Sequence, residues 1–359
     1  MTPPTSRSPV KVLIADDSAF MRIALSRMVQ SDDSLCVVGT AQTGPETLTQ
    51  IDRLQPDVVT LDINMPGLSG LEILKRVMHD SPRPVIVISS MAQEGAEATL
   101  EALELGAFDC LAKRLSCSSL DIVKVQDELV GKIKAAARSC RDARRRSRPT
   151  IRPPSPAVSS VSLSAPSVVA MGTSTGGPKA LQEVLPYLPA DLPVGILIVQ
   201  HMPIGFTGPF AQRLNNLCHV HVHEAEDGMV LTRGHVYLAP AGQHLTVRRR
   251  TPAEVVLQVS SNPNNVVHIP SVDVMLLSVA EVFRSNAMGI IMTGMGGDGA
   301  LGMQAIFREG GLTVGQDEAT CAVYGMPRTC AEMGVLKRVV PLSDIPQQIL
   351  AALGYRKPC

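Results

Sequence analysis

The chain has 359 residues, with 33 lysines and arginines against 33 aspartates and glutamates, so its formal net charge is zero. That length suggests roughly two domains, and the charge balance argues against a chain that generally binds nucleic acid. Hydrophobic residues make up 45% and aromatics only 3%, so the expected cores are aliphatic and methionine-filled. Residues 11–15 read as a short buried strand with Asp16 and Asp17 at its C-terminal end. Helical spacing follows over 18–29, then a strand over 35–38 and a helix over 44–54. A third strand, 58–61, ends in Asp62, and 71–78 is helical. A fourth strand, 84–88, ends in Ser89 and Ser90, and 94–105 is helical. A fifth, 108–112, ends in Lys113, and 120–137 reads as an amphipathic helix. Strand–helix units repeated in this way predict a parallel sheet covered by helices on both faces.

In such a sheet, ligands gather at the carboxyl ends of the strands. Here those ends carry Asp16, Asp17, Asp62, Ser89 and Lys113. Carboxylates crowded into one crevice repel each other unless a cation lies between them, and a hard cation such as Mg²⁺ suits oxygen ligands. A lysine and a hydroxyl beside them complete a site for a phosphoryl group. The plain alternative is a solvated acidic rim, against which the matched strand ends speak. This half resembles the receiver domain of two-component response regulators. The resemblance is carried by the Asp16–Asp17 pair, Asp62 within the stretch 61–70, Ser89 and Lys113, and it covers about 10–135 of a domain bounded at 10–137. It implies a flavodoxin-like, five-stranded parallel sheet in which Asp62 accepts a phosphoryl group from a histidine kinase. It further implies that Asp16, Asp17 and Asp62 hold Mg²⁺ and that Ser89 and Lys113 contact the acyl phosphate. Two positions depart from the pattern: Arg114 replaces the usual proline after the lysine, and Cys110 takes the aromatic switch position.

Residues 138–166 change character, with six arginines between 138 and 148 followed by prolines among serines. This reads as a tether without a core of its own, its arginines a solvated helix end rather than a grip on nucleic acid.

From 167 the alternation resumes. Strand 168–171 leads into Gly172-Thr173-Ser174-Thr175-Gly176, and helical spacing follows over 178–188. A serine between glycines on a strand-to-helix turn fits a nucleophile elbow; a structural or anion-binding turn is the bland alternative. Strand 195–199 ends in Gln200 and His201, and a helix follows near 207–216. Segments around 219–224, 235–239, 244–249 and 254–259 look like hairpin-rich β structure. Helix 271–285, strand 288–292, the loop from Thr293 to Gly299, helix 300–309, strand 312–315 and a helix near 343–353 complete the chain. The expected plan is α/β, mainly parallel, with an antiparallel hairpin portion.

Three strand ends of this half are chemically loaded: Ser174, His201 and Asp298. A serine needs a base to attack at neutral pH, and the base needs an orienting carboxylate. Taken singly, His201 fits a structural histidine and Asp298 a helix N-cap; their placement at matched strand ends favours the joint reading. His219, His221 and His223 would share one face of a strand and could invite a metal, but a polar outward face is preferred because no partner has ligand spacing. The order Ser, His, Asp differs from that of α/β-hydrolases.

The second half resembles the catalytic domain of chemotaxis protein-glutamate methylesterases, which are also glutamine deamidases. The matching stretches are 172–178, 200–203 with Phe206 and Thr207, 239–242, 270–273 and 293–300, in a domain spanning 167–356. The resemblance implies Ser174 as nucleophile, His201 as base, Asp298 as orienter and the Met295 N–H as an oxyanion donor. It implies methylated chemoreceptors as substrate, no cofactor for ester hydrolysis, and a receiver that inhibits the enzyme until Asp62 is phosphorylated. Rival readings are a transcription factor, which would need a compact DNA-reading output, an adaptor with a decayed enzyme domain, and another esterase or amidase. Eight scattered cysteines without a CxxC pair, a polar N-terminus and no apolar run of ~18 residues predict a cytoplasmic chain without membrane insertion, expected to be monomeric.

Overall fold

A computed structural model describes residues 8–89, 93–113, 119–146, 165–264 and 266–355. The chain divides into two units, 1–151 and 152–359. Arg114, Ser90 and the proline- and serine-rich part of the tether lie outside the described residues.

The first unit runs β1 (Val10–Ala15), α1 (Ala19–Gln30), β2 (Leu35–Ala41), α2 (Gly44–Leu54), β3 (Val58–Asp62), α3 (Gly70–Asp80), β4 (Val85–Ser89), α4 (Gln93–Glu104), β5 (Asp109–Ala112) and α5 (Ser119–Arg146). Its sheet is parallel throughout, in the order β2-β1-β3-β4-β5. Every residue of β3, β4 and β5 is buried, which is why these strands read as unbroken apolar runs rather than alternations. Helix starts are written locally: Ser18, Thr43 and Ser69 each accept a hydrogen bond from a first-turn N–H, and Ser69 forms a capping box with Glu72. Helix α5 continues past the expected end at 137. Alanine and arginine are strong helix formers, and no Gly or Pro interrupts them before Pro149. The first part of the arginine run therefore belongs to a helix rather than to the tether.

The second unit runs β6 (Val168–Thr173), α6 (Gly177–Val184), β7 (Gly195–Gln200), α7 (Thr207–Leu217), β8 (His221–Glu224), β9 (His235–Leu238), β10 (His244–Thr251) and β11 (Glu254–Ser260). It continues with α8 (Val272–Phe283), β12 (Ala287–Ile291), α9 (Ala300–Arg308), β13 (Leu312–Gln316), α10 (Met326–Glu332), β14 (Arg338–Val340) and α11 (Ile345–Ala352). Seven strands pair in parallel in the order β14-β13-β12-β6-β7-β9-β8, and β10 with β11 forms a separate antiparallel hairpin. The expected hairpin-rich region is thus only half hairpin. Strands β8 and β9 extend the main sheet because the segment between them crosses over and pairs with the hairpin, through Leu231 N–H to the Val255 carbonyl and a bridge between Val230 and Val256. Helix α10 and strand β14 were not expected from the sequence.

Both sheets reverse winding direction at one place. The chain leaves β1 towards β2 and leaves β3 towards β4; it leaves β6 towards β7 and leaves β12 towards β13. Crevices therefore open beyond the carboxyl ends of β1/β3 and of β6/β12, and these two positions locate the candidate sites.

Beside β5, the Lys132 ammonium lies 3.2 Å from Asp109 Oδ2 and 3.0 Å from Glu128 Oε1, and donates to the Cys110 carbonyl. Burial pushes the Cys110 thiol up to about 12, so this residue is an inert filler. Replacing Lys132 with Ala would strand the buried Asp109 carboxylate. The Lys132→Ala variant should lose about 3 kcal/mol from the first unit. Urea unfolding of the full chain checks this; an unmoved first-unit transition would contradict it.

Candidate active site

Strand β6 ends at Thr173 and the chain turns through Ser174 into α6. Gly176 sits at φ +77, and a Cβ there would lie 2.5 Å from that of Ala322. A Cβ on Gly177 would collide with the Gln200 Oε1 and Thr173 Oγ1 atoms. Glycine is therefore required at both positions for the turn to close. The Ser174 N–H donates to the Thr293 carbonyl at 3.0 Å, and the Ser174 carbonyl accepts from the Gly177 N–H at 2.8 Å. Gln200 Nε2 donates to the carbonyls of Ser174 (3.0 Å) and His201 (2.8 Å), so one buried amide fixes both loops.

The sheet brings the three candidates to one edge. Thr173 is in register with Gln200, and the His201 N–H donates to the Thr173 carbonyl at 3.1 Å, so Ser174 and His201 leave neighbouring strands together. On the other side Gly172 is in register with Ile291, and the loop 293–299 presses against the turn. A Cβ on Gly294 would stand 2.9 Å from Ser174 Cβ.

His201 Nε2 lies 2.9 Å from Asp298 Oδ2, both side chains being about nine-tenths buried. Asp298 also accepts from Ser271 Oγ (2.9 Å), Val272 N–H (2.8 Å) and Asp273 N–H (3.0 Å). The last two open α8, whose N-terminal dipole favours the negative charge. The buried His201 Nδ1 makes no hydrogen bond, so Ser174 and His201 are not joined by one here. Such bonds are often long before substrate binds. The His201 ring stacks on His268 at 4.3 Å and 20°, which restricts its rotation. Met295 is partly exposed, and its N–H donates to no described residue.

In the first unit, Lys113 Nζ lies 3.0 Å from Asp16 Oδ2 and 2.7 Å from Asp62 Oδ2. The remaining Asp16 and Asp62 oxygens accept from the Ser18 and Asn64 N–H groups at 2.9 and 3.1 Å. Arg22 holds the carbonyls of Asp16 and Asp17. Burial pushes the Asp16 carboxyl up despite Lys113. Asp16, Asp17 and Asp62 offer carboxylate oxygens within 4.8 Å of one another, a hard donor set that fits Mg²⁺. Ser89 is buried at the end of β4, where its hydroxyl donates to the Gly95 carbonyl at 3.1 Å.

Residues 169–349 match the family described as CheB methylesterase, and residues 12–123 match the response regulator receiver domain. A protein-glutamate methylesterase/protein-glutamine glutaminase of Oleidesulfovibrio alaskensis is 45% identical over 367 residues, covering 96% of this chain and 99% of the relative. The chain belongs to the CheB methylesterase family. Another protein of that description, from Pyrococcus horikoshii, is 42% identical, covering 96% of this chain and 94% of its own. The crystal structure of the Thermotoga maritima CheB methylesterase catalytic domain aligns with a TM-score of 0.51 at 36% identity, over 52% of this chain and 99% of that domain.

Several residues of this CheB-family site carried no role in the sequence. Gln200 and Ser271 stood in matching stretches, but their hydrogen bonds to the Ser174 turn and to Asp298 depend on long-range packing. His268 lies 67 positions from its stacking partner, and nothing local marks it.

Burial alone would raise the Asp298 carboxyl, but the His201 contact and the α8 N–H groups outweigh it and hold it at about 2, against an ordinary 3.8. A carboxyl depressed in the fold contributes stability above its unfolded value and loses it as pH falls through its folded value. The isosteric Asp298→Asn variant should therefore be less stable by about 2 kcal/mol at neutral pH. That gap should close as pH falls from 3.8 to about 2. Denaturation curves across this range check it, and a gap that persists at the acid end would contradict the assignment.

Proposed function

We propose that the second unit is a serine hydrolase that demethylates glutamate methyl esters, and deamidates glutamines, on the cytoplasmic helices of chemoreceptors. The single observation that carries this reading is the His201–Asp298 pair, with His201 Nδ1 buried and unbonded just past β7, the strand beside the one that leads into Ser174. With Nε2–H donated to Asp298, the basic lone pair is on Nδ1. In the proposed reaction Nδ1 takes the Ser174 proton as Oγ attacks the ester carbonyl. The Met295 N–H, and those of Thr175 and Gly176 at the start of α6, are the candidate donors for the tetrahedral oxyanion, each worth on the order of 10²–10³ in rate. The imidazolium returns its proton to the leaving methoxide, and methanol departs. Water then attacks the glutamyl–Ser174 ester with Nδ1 again as base, freeing glutamate. With a glutamine side chain the leaving group is ammonia. His268 holds the imidazole plane, and Asp298 fixes its tautomer and stabilises the transient positive charge.

In the first unit Asp62 is the proposed acceptor of a phosphoryl group from a chemotaxis histidine kinase. Asp16, Asp17 and Asp62 would hold Mg²⁺, which when bound neutralises charge on the transferring group. Lys113 pairs with the acyl phosphate, and Ser89 contacts it after giving up its bond to Gly95. A phosphoryl group adds charge at the strand ends and biases a two-state face, and this is proposed to relieve inhibition by the receiver. The substrate places the chain in the cytoplasm.

Methanol release from methylated receptor membranes tests both halves. Ser174→Ala should abolish it with the fold intact, and undiminished release from that variant would sink the hydrolase reading. Acetyl phosphate with Mg²⁺ should raise the rate of the unaltered chain and leave that of Asp62→Asn at its basal level. The fragment 160–359 should outpace the unphosphorylated full chain; if it does not, receiver inhibition is wrong.

A further inference from the structure

At the far side of the second sheet from the active site, two neighbouring parallel strands present a cluster of histidines. His221 and His235 are in register at the amino ends of β8 and β9, and His223 lies two residues further along β8. Paired positions of parallel strands, and positions two apart, project from the same face. The rings accordingly meet: His235 lies 4.9 Å from His221 and 5.1 Å from His223 between centroids. His223 Nε2 stands 2.9 Å from His235 Nδ1. His219, considered beside His221 and His223 on sequence grounds, precedes β8, and the cross-strand His235 stands in the cluster instead.

We propose that His223 and His235, completed by His221, form a binding site for a borderline divalent transition metal of the Zn²⁺ class. Two ligands of one tetrahedral ion with bonds of about 2.0–2.1 Å stand about 3.3–3.4 Å apart, so the two ring nitrogens need part by only about 0.4 Å to share one ion in place of their hydrogen bond. The exposed His221 ring supplies the third nitrogen by rotating about its Cα–Cβ bond, and water completes the coordination. An all-imidazole donor set selects Zn²⁺, Ni²⁺ or Cu²⁺ over Mg²⁺ or Ca²⁺. Access is open, because β8 is an edge strand and His223 lines a surface groove with Gln212, Asn215, Glu224 and Glu226. The site is separate from the candidate active site, which lies beyond the carboxyl ends of β6 and β12 in the same sheet.

The test is a Zn²⁺ titration of the full chain, stripped of transition metals and held in excess Mg²⁺ to occupy the acidic cluster. The expected result is a Zn²⁺ site weakened at least about tenfold by His223→Ala and by His235→Ala. Should His235→Ala fold poorly, His221→Gln and His223→Gln replace it, since these positions are more open. His268→Ala serves as control for Zn²⁺ held beside His201 and should leave the affinity unchanged. Cu²⁺ bound to the unaltered chain should show nitrogen couplings in its electron paramagnetic resonance spectrum, and His223→Ala should remove part of them. Unchanged affinity in His223→Ala, or loss of the site in His268→Ala alone, would overturn the proposal. So would an unaltered chain that takes up no Zn²⁺, leaving the 2.9 Å contact a plain hydrogen bond between two imidazoles.

Discussion

A single desolvated carboxylate organises the catalytic unit. Asp298 is about nine-tenths buried, and it is tolerable there because its two oxygens accept four hydrogen bonds. A buried charge without such partners would cost several kcal/mol or neutralise itself. Three of the four donors come from Ser271 and the first turn of α8, so the carboxylate anchors that helix against the loop after β12. The fourth is His201, which brings in β7. Removing the charge would unfasten the helix and release the ring together. Stability and the proposed chemistry therefore share one group.

The two units solve the same problem by the same geometry. Each places polar side chains where a parallel sheet reverses its winding, because backbone groups there are unpaired and neighbouring helices diverge. In the first unit the crevice between β1 and β3 gathers carboxylates, and Lys113 balances part of their charge from β5. In the second, the crevice between β6 and β12 gathers a hydroxyl, an imidazole and one carboxylate. The first arrangement concentrates negative charge and suits a hard cation. The second confines the Asp298 charge behind the imidazole.

The parts legible in the sequence were those written locally. Apolar strands ending in Asp16, Asp62, Ser174, His201 and Asp298, and caps such as Ser18 and Ser69, need only neighbouring residues to be recognised. Three-residue β14 and seven-residue α10 carry too little periodicity to stand out. The direction of β8 and β9 was not legible, because four-residue strands pair either way and the crossing segment decides. In the candidate site, the gathering of Ser174, His201 and Asp298 at one sheet edge was legible and the ring orientation was not. Which imidazole nitrogen meets Asp298 depends on α8 lying behind the carboxylate and on His268 lying against the ring, both set by contacts remote in the chain.

The chain order Ser, His, Asp follows from the sheet rather than from the chemistry. A proposed nucleophile flanked on both sides, as Ser174 is, must follow an interior strand, and β6 is the strand between β7 and β12. Winding outward from β6 through α6 reaches β7 next, so His201, the proposed base, comes second. The other neighbour, β12, is reached only after the chain has built β8 to β11 and returned through α8, so the carboxylate comes last. That return also delivers the N-terminus of α8 to the spot where Asp298 needs donors. The hairpin of β10 and β11 therefore supports the candidate site, although it contributes none of the candidate catalytic side chains. It supplies the chain length needed to bring α8 back across the sheet, and α8 packs on it through the Val247 N–H bond to the Ser278 hydroxyl.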